Sequence, residues 1–165
     1  MSADDKRSSY KTHVCITIIV MLFIFVHSAM PGHISGAESN IIVQFIAGIT
    51  GWNEEILRVV VRKAAHFTEF LVLGMCLSAN MRDLREKNIS DGTAAADAPA
   101  TAYRFAAWFT GTVYAMTDEF HQLFVQDRVC SVTDMCIDSA GVVCAVLIYC
   151  AFMGRTSKRA RKTRS

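Results

Sequence analysis

Lys63, His66 and Glu69 stand three residues apart in the run Arg62-Lys63-Ala64-Ala65-His66-Phe67-Thr68-Glu69-Phe70, a spacing that aligns them along one face of a helix. A second group, Thr117-Asp118-Glu119-Phe120-His121-Gln122, turns Asp118 the same way as His121 and Gln122. Asp134 and Asp138 are four apart and share a third face, while Gln126-Asp127-Arg128 lies between these last two groups. Side chains of these types suit three roles. Glu69, His66 and Asp118 are candidates for general acid and base work. His66, Glu69, His121 and the aspartates are suitable ligands for a divalent metal, which would activate water, although His66-x-x-Glu69 is a weak pattern and no HExxH signature occurs. Alternatively Arg62, Lys63 and Arg128 neutralise the acids in a salt-bridge network that only holds helices in register. Against that bland role, Glu69, Asp118, Glu119, Asp127, Asp134 and Asp138 outnumber the three cations.

The elements that carry these groups are apolar. The 165 residues are 52% hydrophobic and 19% charged, against roughly a quarter charged in a soluble domain, and mean hydropathy is +0.29. A soluble globule, a disordered chain and a collagen-like chain are all disfavoured by that balance. A hydrocarbon core of about 30 Å takes about 20 helical residues, and Thr12 to Ala37 holds no Asp, Glu, Lys or Arg. Three more apolar runs follow. The sequence therefore predicts an all-α integral membrane protein with four transmembrane helices, at about 13–30, 64–81, 103–120 and 135–153. The flanking residues 1–12 and 155–165 form tails around this membrane domain of residues 13–154. A cleaved signal peptide is the alternative for the first span, with Val14 to Val26 as its apolar region.

Ile42, Phe45, Ile46 and Ile49 repeat at helical spacing over a stretch too short to cross, which predicts an interfacial helix between the first two spans. Trp52 would sit at headgroup level, and Asn53 before Glu54 and Glu55 reads as a helix start. Asn88 to Ala100, rich in Ala, Asp and Gly, reads as a linker. Ala107, Gly111 and Ala115, and Asp138, Gly141 and Ala145, form small-residue seams expected between the third and fourth spans. Cys130 and Cys136 are close enough in sequence to pair.

Lysine and arginine set the orientation, because cytoplasmic loops retain positive charge. Lys6, Arg7 and Lys11, then Arg82, Arg85, Lys87 and Arg104, then the basic residues from Arg155 to Arg164 all fall on one side. Both termini are expected in the cytoplasm. The polar groups then gather at the extracytoplasmic end, and the basic tail reads as an anchor on anionic lipid, with no nucleic-acid partner implied by the net charge of +2.

Lys63-Ala64-Ala65-His66-Phe67-Thr68-Glu69-Phe70, Asp118-Glu119-Phe120-His121-Gln122, Arg128, Asp134-Met135-Cys136-Ile137-Asp138 and Gly141 together resemble the VanZ-like family of small bacterial membrane proteins. Phe25-Val26-His27-Ser28, Ser35 and Ser39 look like that family's serine-dotted stretch after the first helix. The resemblance runs from residue 14 to 153. It implies a four-span protein of the bacterial cytoplasmic membrane, in a family whose founding members lower susceptibility to the glycopeptide teicoplanin. It marks Lys63, His66, Glu69, Asp118, Glu119, His121, Gln122, Arg128, Asp134 and Asp138 as candidate functional residues. Val129-Cys130-Ser131 departs from the family pattern, where a glycine-containing turn is commoner.

Two functions follow as expectations. One is a non-enzymatic envelope protein that binds a cell-wall precursor, a surface polymer or a glycopeptide at its outer polar site. The other is an intramembrane enzyme acting on a lipid-linked or cell-wall substrate by acid/base or metal-assisted chemistry. A small transporter ranks last, because the cytoplasmic halves of the spans read as almost wholly apolar.

Overall fold

The computed structural model describes the backbone of residues 3–95 and 97–162, and the side chains of residues 7–31, 40–95 and 97–153. The side chains of Lys6, Ser35, Ser39 and the basic residues from Arg155 onward lie outside the described set. The described chain is all helical, in the order α1 (Ala3–Ser28), α2 (Gly32–Thr50), α3 (Glu54–Ser90), α4 (Ala100–Gln122) and α5 (Val132–Lys162). The predicted spans fall within α1, α3, α4 and α5, save that α1 ends at Ser28.

Local chemistry explains most of the boundaries. Pro31 cannot continue α1 and instead precedes the first turn of α2. Gly51 closes α2 with a left-handed φ of 70°, a conformation that costs glycine little. The Asn53 side chain then accepts from Glu55 N at 2.7 Å, so the expected start is observed. At its other end α3 continues to Ser90, past the expected linker boundary. The remaining connection is tied back by Arg85 Nε, which donates to Ala98 O at 2.9 Å.

Helix α3 is the hub, packing against each of the other four helices, while α5 also packs on α4. Ile24, Phe70, Leu73, Leu77, Ala107, Ala115 and Val142 form the core. Across it, Tyr114 donates to Met21 O at 2.6 Å, which joins α4 to α1. The small-residue seams are corrected in one respect. A Cβ on Gly141 would meet Phe67 O at 2.5 Å, so this glycine lets α5 approach α3 rather than α4. Gly111 does pack on α5, where a Cβ would lie 2.7 Å from Val142.

Among the described residues, two helices are long and apolar enough to cross a membrane: Arg7–Ser28, with mean hydropathy 1.9, and Val132–Met153, with 2.1. Only 11% of the first window and 22% of the second are covered by the protein. Soluble core helices are mostly covered, which sets these two helices apart from them. In α2 the expected stripe also points outward: Phe45 and Ile49 are exposed, and Val43 is the residue turned into the bundle.

Candidate functional site

The C-terminal turns of α1 and α4 meet the first half of α3 and the start of α5 at one end of the bundle. At the rim, Lys63 contacts Asp134, and Arg62 Nη2 lies 3.8 Å from the same carboxylate. This ties α3 to α5 in the manner of the salt-bridge expectation, but for one acid only. Arg128 Nε donates to Met30 O at 3.3 Å, laying the α4–α5 loop over the α1–α2 connection. Burial and the neighbouring Arg62 charge lower the Arg128 pKa below its usual range. Asp127, with φ 58°, supplies the left-handed residue of this loop, a conformation aspartate tolerates better than most residues.

Beneath the rim, Glu119 is fully buried, and its Oε2 accepts from Ser131 N at 2.8 Å, fixing the loop from below. Gln122 Nε2 donates to Ser28 Oγ at 3.1 Å and to Asp118 Oδ2 at 3.3 Å, linking α4 to α1. His121 is stacked on Phe25, with ring centroids 4.4 Å apart. Glu69 Oε1 lies 2.7 Å from His27 Nδ1. It also lines an open apolar groove of about 640 Å³ between α1, α2 and α3.

At the centre, His66 Nδ1 lies 3.8 Å from Asp138 Oδ1, beyond a hydrogen bond. One donor atom each from His66, Asp118 and Asp138 lie within 4.8 Å of one another. All three residues are buried, Asp138 completely. Among the described residues, no lysine or arginine lies within salt-bridge distance of Asp118, Glu119 or Asp138: Lys63 and Arg62 are engaged with Asp134, and Arg128 acts on Asp118 and Glu119 only at longer range. Both Asp138 oxygens, Asp118 Oδ1, Glu119 Oε1, His66 Nδ1 and His121 Nδ1 are buried without a hydrogen-bond partner.

The ten sequence candidates therefore occupy one end of the fold, but in layers. Lys63, Arg128 and Asp134 form the rim, and His66, Asp118 and Asp138 the centre. Glu119, Gln122, Glu69 and His121 connect the centre to the loop and to α1. Sequence reading omitted His27 and Ser28 from the site, although both follow directly on the apolar run Val14 to Val26. Cys130 and Cys136 do not pair and remain free thiols.

The expectation of apolar opposite halves is also corrected. Asn80 Nδ2 donates to Thr17 Oγ1 at 2.6 Å inside the bundle. Nearby, Asp83 Oδ2 receives Ser9 Oγ at 2.8 Å and lies 2.7 Å from His13 Nδ1, while Arg82 Nη2 reaches Asp83 Oδ1 at 2.6 Å. These contacts give the far end of the α1–α3 interface a polar lattice of its own.

Comparison with known proteins adds one match. A family model described as VanZ/LLP1 matches residues 13–153. No curated protein and no solved structure matches the chain.

Proposed function

The chain belongs to the VanZ/LLP1 family, and from that premise we propose a multi-pass protein of the bacterial cytoplasmic membrane whose polar end recognises a cell-wall or surface component. In this reading α1, α3, α4 and α5 cross the bilayer, and α2 lies in the interface with Phe45 and Ile49 toward lipid. The extended apolar surfaces of α1 and α5 and the packing of both on α3 support that arrangement. Both termini are cytoplasmic, on the distribution of lysine and arginine, so the Lys63–Asp134 rim faces outward.

The observation that carries the reading is the convergence of titratable and amide side chains from four helices under one loop. This polar end has a cationic and anionic rim above buried, unsatisfied donors and acceptors, and convergent polar groups of this kind fix the orientation of a peptide or sugar ligand. Binding there to precursor or surface polymer lowers access of a glycopeptide such as teicoplanin. Expression in a sensitive Gram-positive host is expected to reduce teicoplanin bound per cell and to raise the inhibitory concentration. Unchanged binding together with unchanged sensitivity rejects the reading.

The unpaired polar atoms of His66, Asp118 and Asp138 favour a second reading, an intramembrane enzyme acting on a lipid-linked or cell-wall substrate. Mass spectrometry of lipid-linked and polymeric wall fractions separates the two. An enzyme leaves a covalently altered product that disappears in Glu69→Gln, whereas a binding protein leaves composition unchanged.

A further inference from the structure

A buried polar atom without a partner has given up water and gained nothing in return, which destabilises the fold, and more so when the atom is charged. The fold places six such atoms at the end of one bundle, and four of them belong to His66, Asp118 and Asp138. Among the described residues no lysine or arginine touches them: Arg62 and Lys63 are held by Asp134, and Arg128 reaches Asp118 and Glu119 only through its longer-range field. Gln122 satisfies one Asp118 oxygen and leaves the other free.

We propose that His66, Asp118 and Asp138 hold a divalent transition metal, Zn²⁺ or Mn²⁺, which bridges α3, α4 and α5. Two carboxylates balance the charge of a divalent ion, and the donor atoms already lie within 4.8 Å of one another. Around Zn²⁺, with bonds of about 2.0–2.1 Å, neighbouring ligand atoms sit roughly 3.3 Å apart. The 3.8 Å between His66 Nδ1 and Asp138 Oδ1 closes to that value by small rotations of two side chains. One imidazole with two carboxylates suits zinc or manganese better than the all-oxygen sets of calcium and magnesium. Three protein ligands leave coordination positions for water or an incoming oxygen donor, as in catalytic rather than closed structural sites. The ion does not require the proposed wall ligand, so the two readings fail separately.

The full chain, purified in detergent and dialysed against Zn²⁺ or Mn²⁺ and then metal-free buffer, is expected to retain about one equivalent of one ion by mass spectrometry. Asp138→Asn and His66→Ala should each retain less than a tenth of that. Asp83→Asn, at the far end of the α1–α3 interface, should retain the full amount. If the central variants fail to fold, titration of the wild-type chain with Co²⁺ decides. Visible d–d bands that saturate at one equivalent and vanish on adding Zn²⁺ support the site. A folded wild-type chain that retains no ion and yields no Co²⁺ bands overturns it. Equal metal content in folded Asp138→Asn does the same.

Discussion

His27 Nδ1 and Glu69 Oε1 are 2.7 Å apart, joining the last turn of α1 to α3 with most of both side chains covered. Removing either partner should cost about 1.5–3 kcal/mol, the range for hydrogen bonds with a charged partner. Unfolding of His27→Ala, Glu69→Gln and the double variant tests this contact. The double variant should lose less than the sum of the singles by about 1 kcal/mol, and strict additivity would show that the pair does not interact.

At the rim the expected effect is small. Lys63 is partly exposed, and Asp134 keeps Arg62 within 3.8 Å when Lys63 is lost. Lys63→Met should therefore change unfolding free energy by less than about 1 kcal/mol. A larger loss would mean that this pair, rather than the buried centre, secures α5.

Glycine substitutions should rank by what the new methyl group meets. Gly141→Ala directs a Cβ against the Phe67 backbone oxygen, which cannot rotate aside, and should cost about 1–3 kcal/mol despite the gain in helix propensity. Gly111→Ala meets only side-chain atoms of Val142 and Leu77, so repacking should make it the milder change. Thermal unfolding in detergent gives the order, and the reverse order would refute the assigned α3–α5 approach.

Asp83 gives the polar lattice a pH dependence of definite sign. Burial raises its pKa, but hydrogen bonds from Arg82, His13 and Ser9 outweigh that and hold the carboxyl below its ordinary value of 3.8. A depressed value means that the contribution is complete above pH 3.8 and fades as pH falls through the folded-state value. Wild type should accordingly exceed Asp83→Asn in stability at pH 6, with the gap narrowing below pH 4. A gap that widens toward acid would reverse the assignment.

Orientation is open to a labelling experiment. A variant that keeps Cys130 as its single cysteine should react with a membrane-impermeant maleimide in intact cells, because the α4–α5 loop is on the outer side in the proposed topology. Reaction only after permeabilisation would invert the bundle and move the polar end to the cytoplasm.

The helices were legible because apolar runs and caps are local signals. Asn53 before Glu54 and Glu55 marked the start of α3, and the apolar run from Val14 to Val26 the body of α1. The first turns of α2 were not legible, since Gly32-His33-Ile34-Ser35-Gly36 carries no apolar periodicity. Spacing grouped His66, Asp118 and Asp138 only within their own helices, and their choice of neighbours depends on how those helices rotate. For that reason Lys63 could not be assigned to Asp134 rather than Asp138. The Asn80–Thr17 and Asp83–His13 contacts escaped notice for the same cause, because no spacing within one helix links a residue of α1 to a residue of α3.

Helices α1 and α3 run antiparallel, and His13 and His27 are 14 positions apart, as are Glu69 and Asp83. Fourteen residues are almost four turns, or about 21 Å of helix, so the two imidazole–carboxylate contacts work like matched rivets along one rail. Sliding α1 by a single turn, about 5.4 Å, shears both together and leaves no halfway notch in which one still holds. A pull on the amino-terminal segment should therefore meet resistance at both ends of the rail at once.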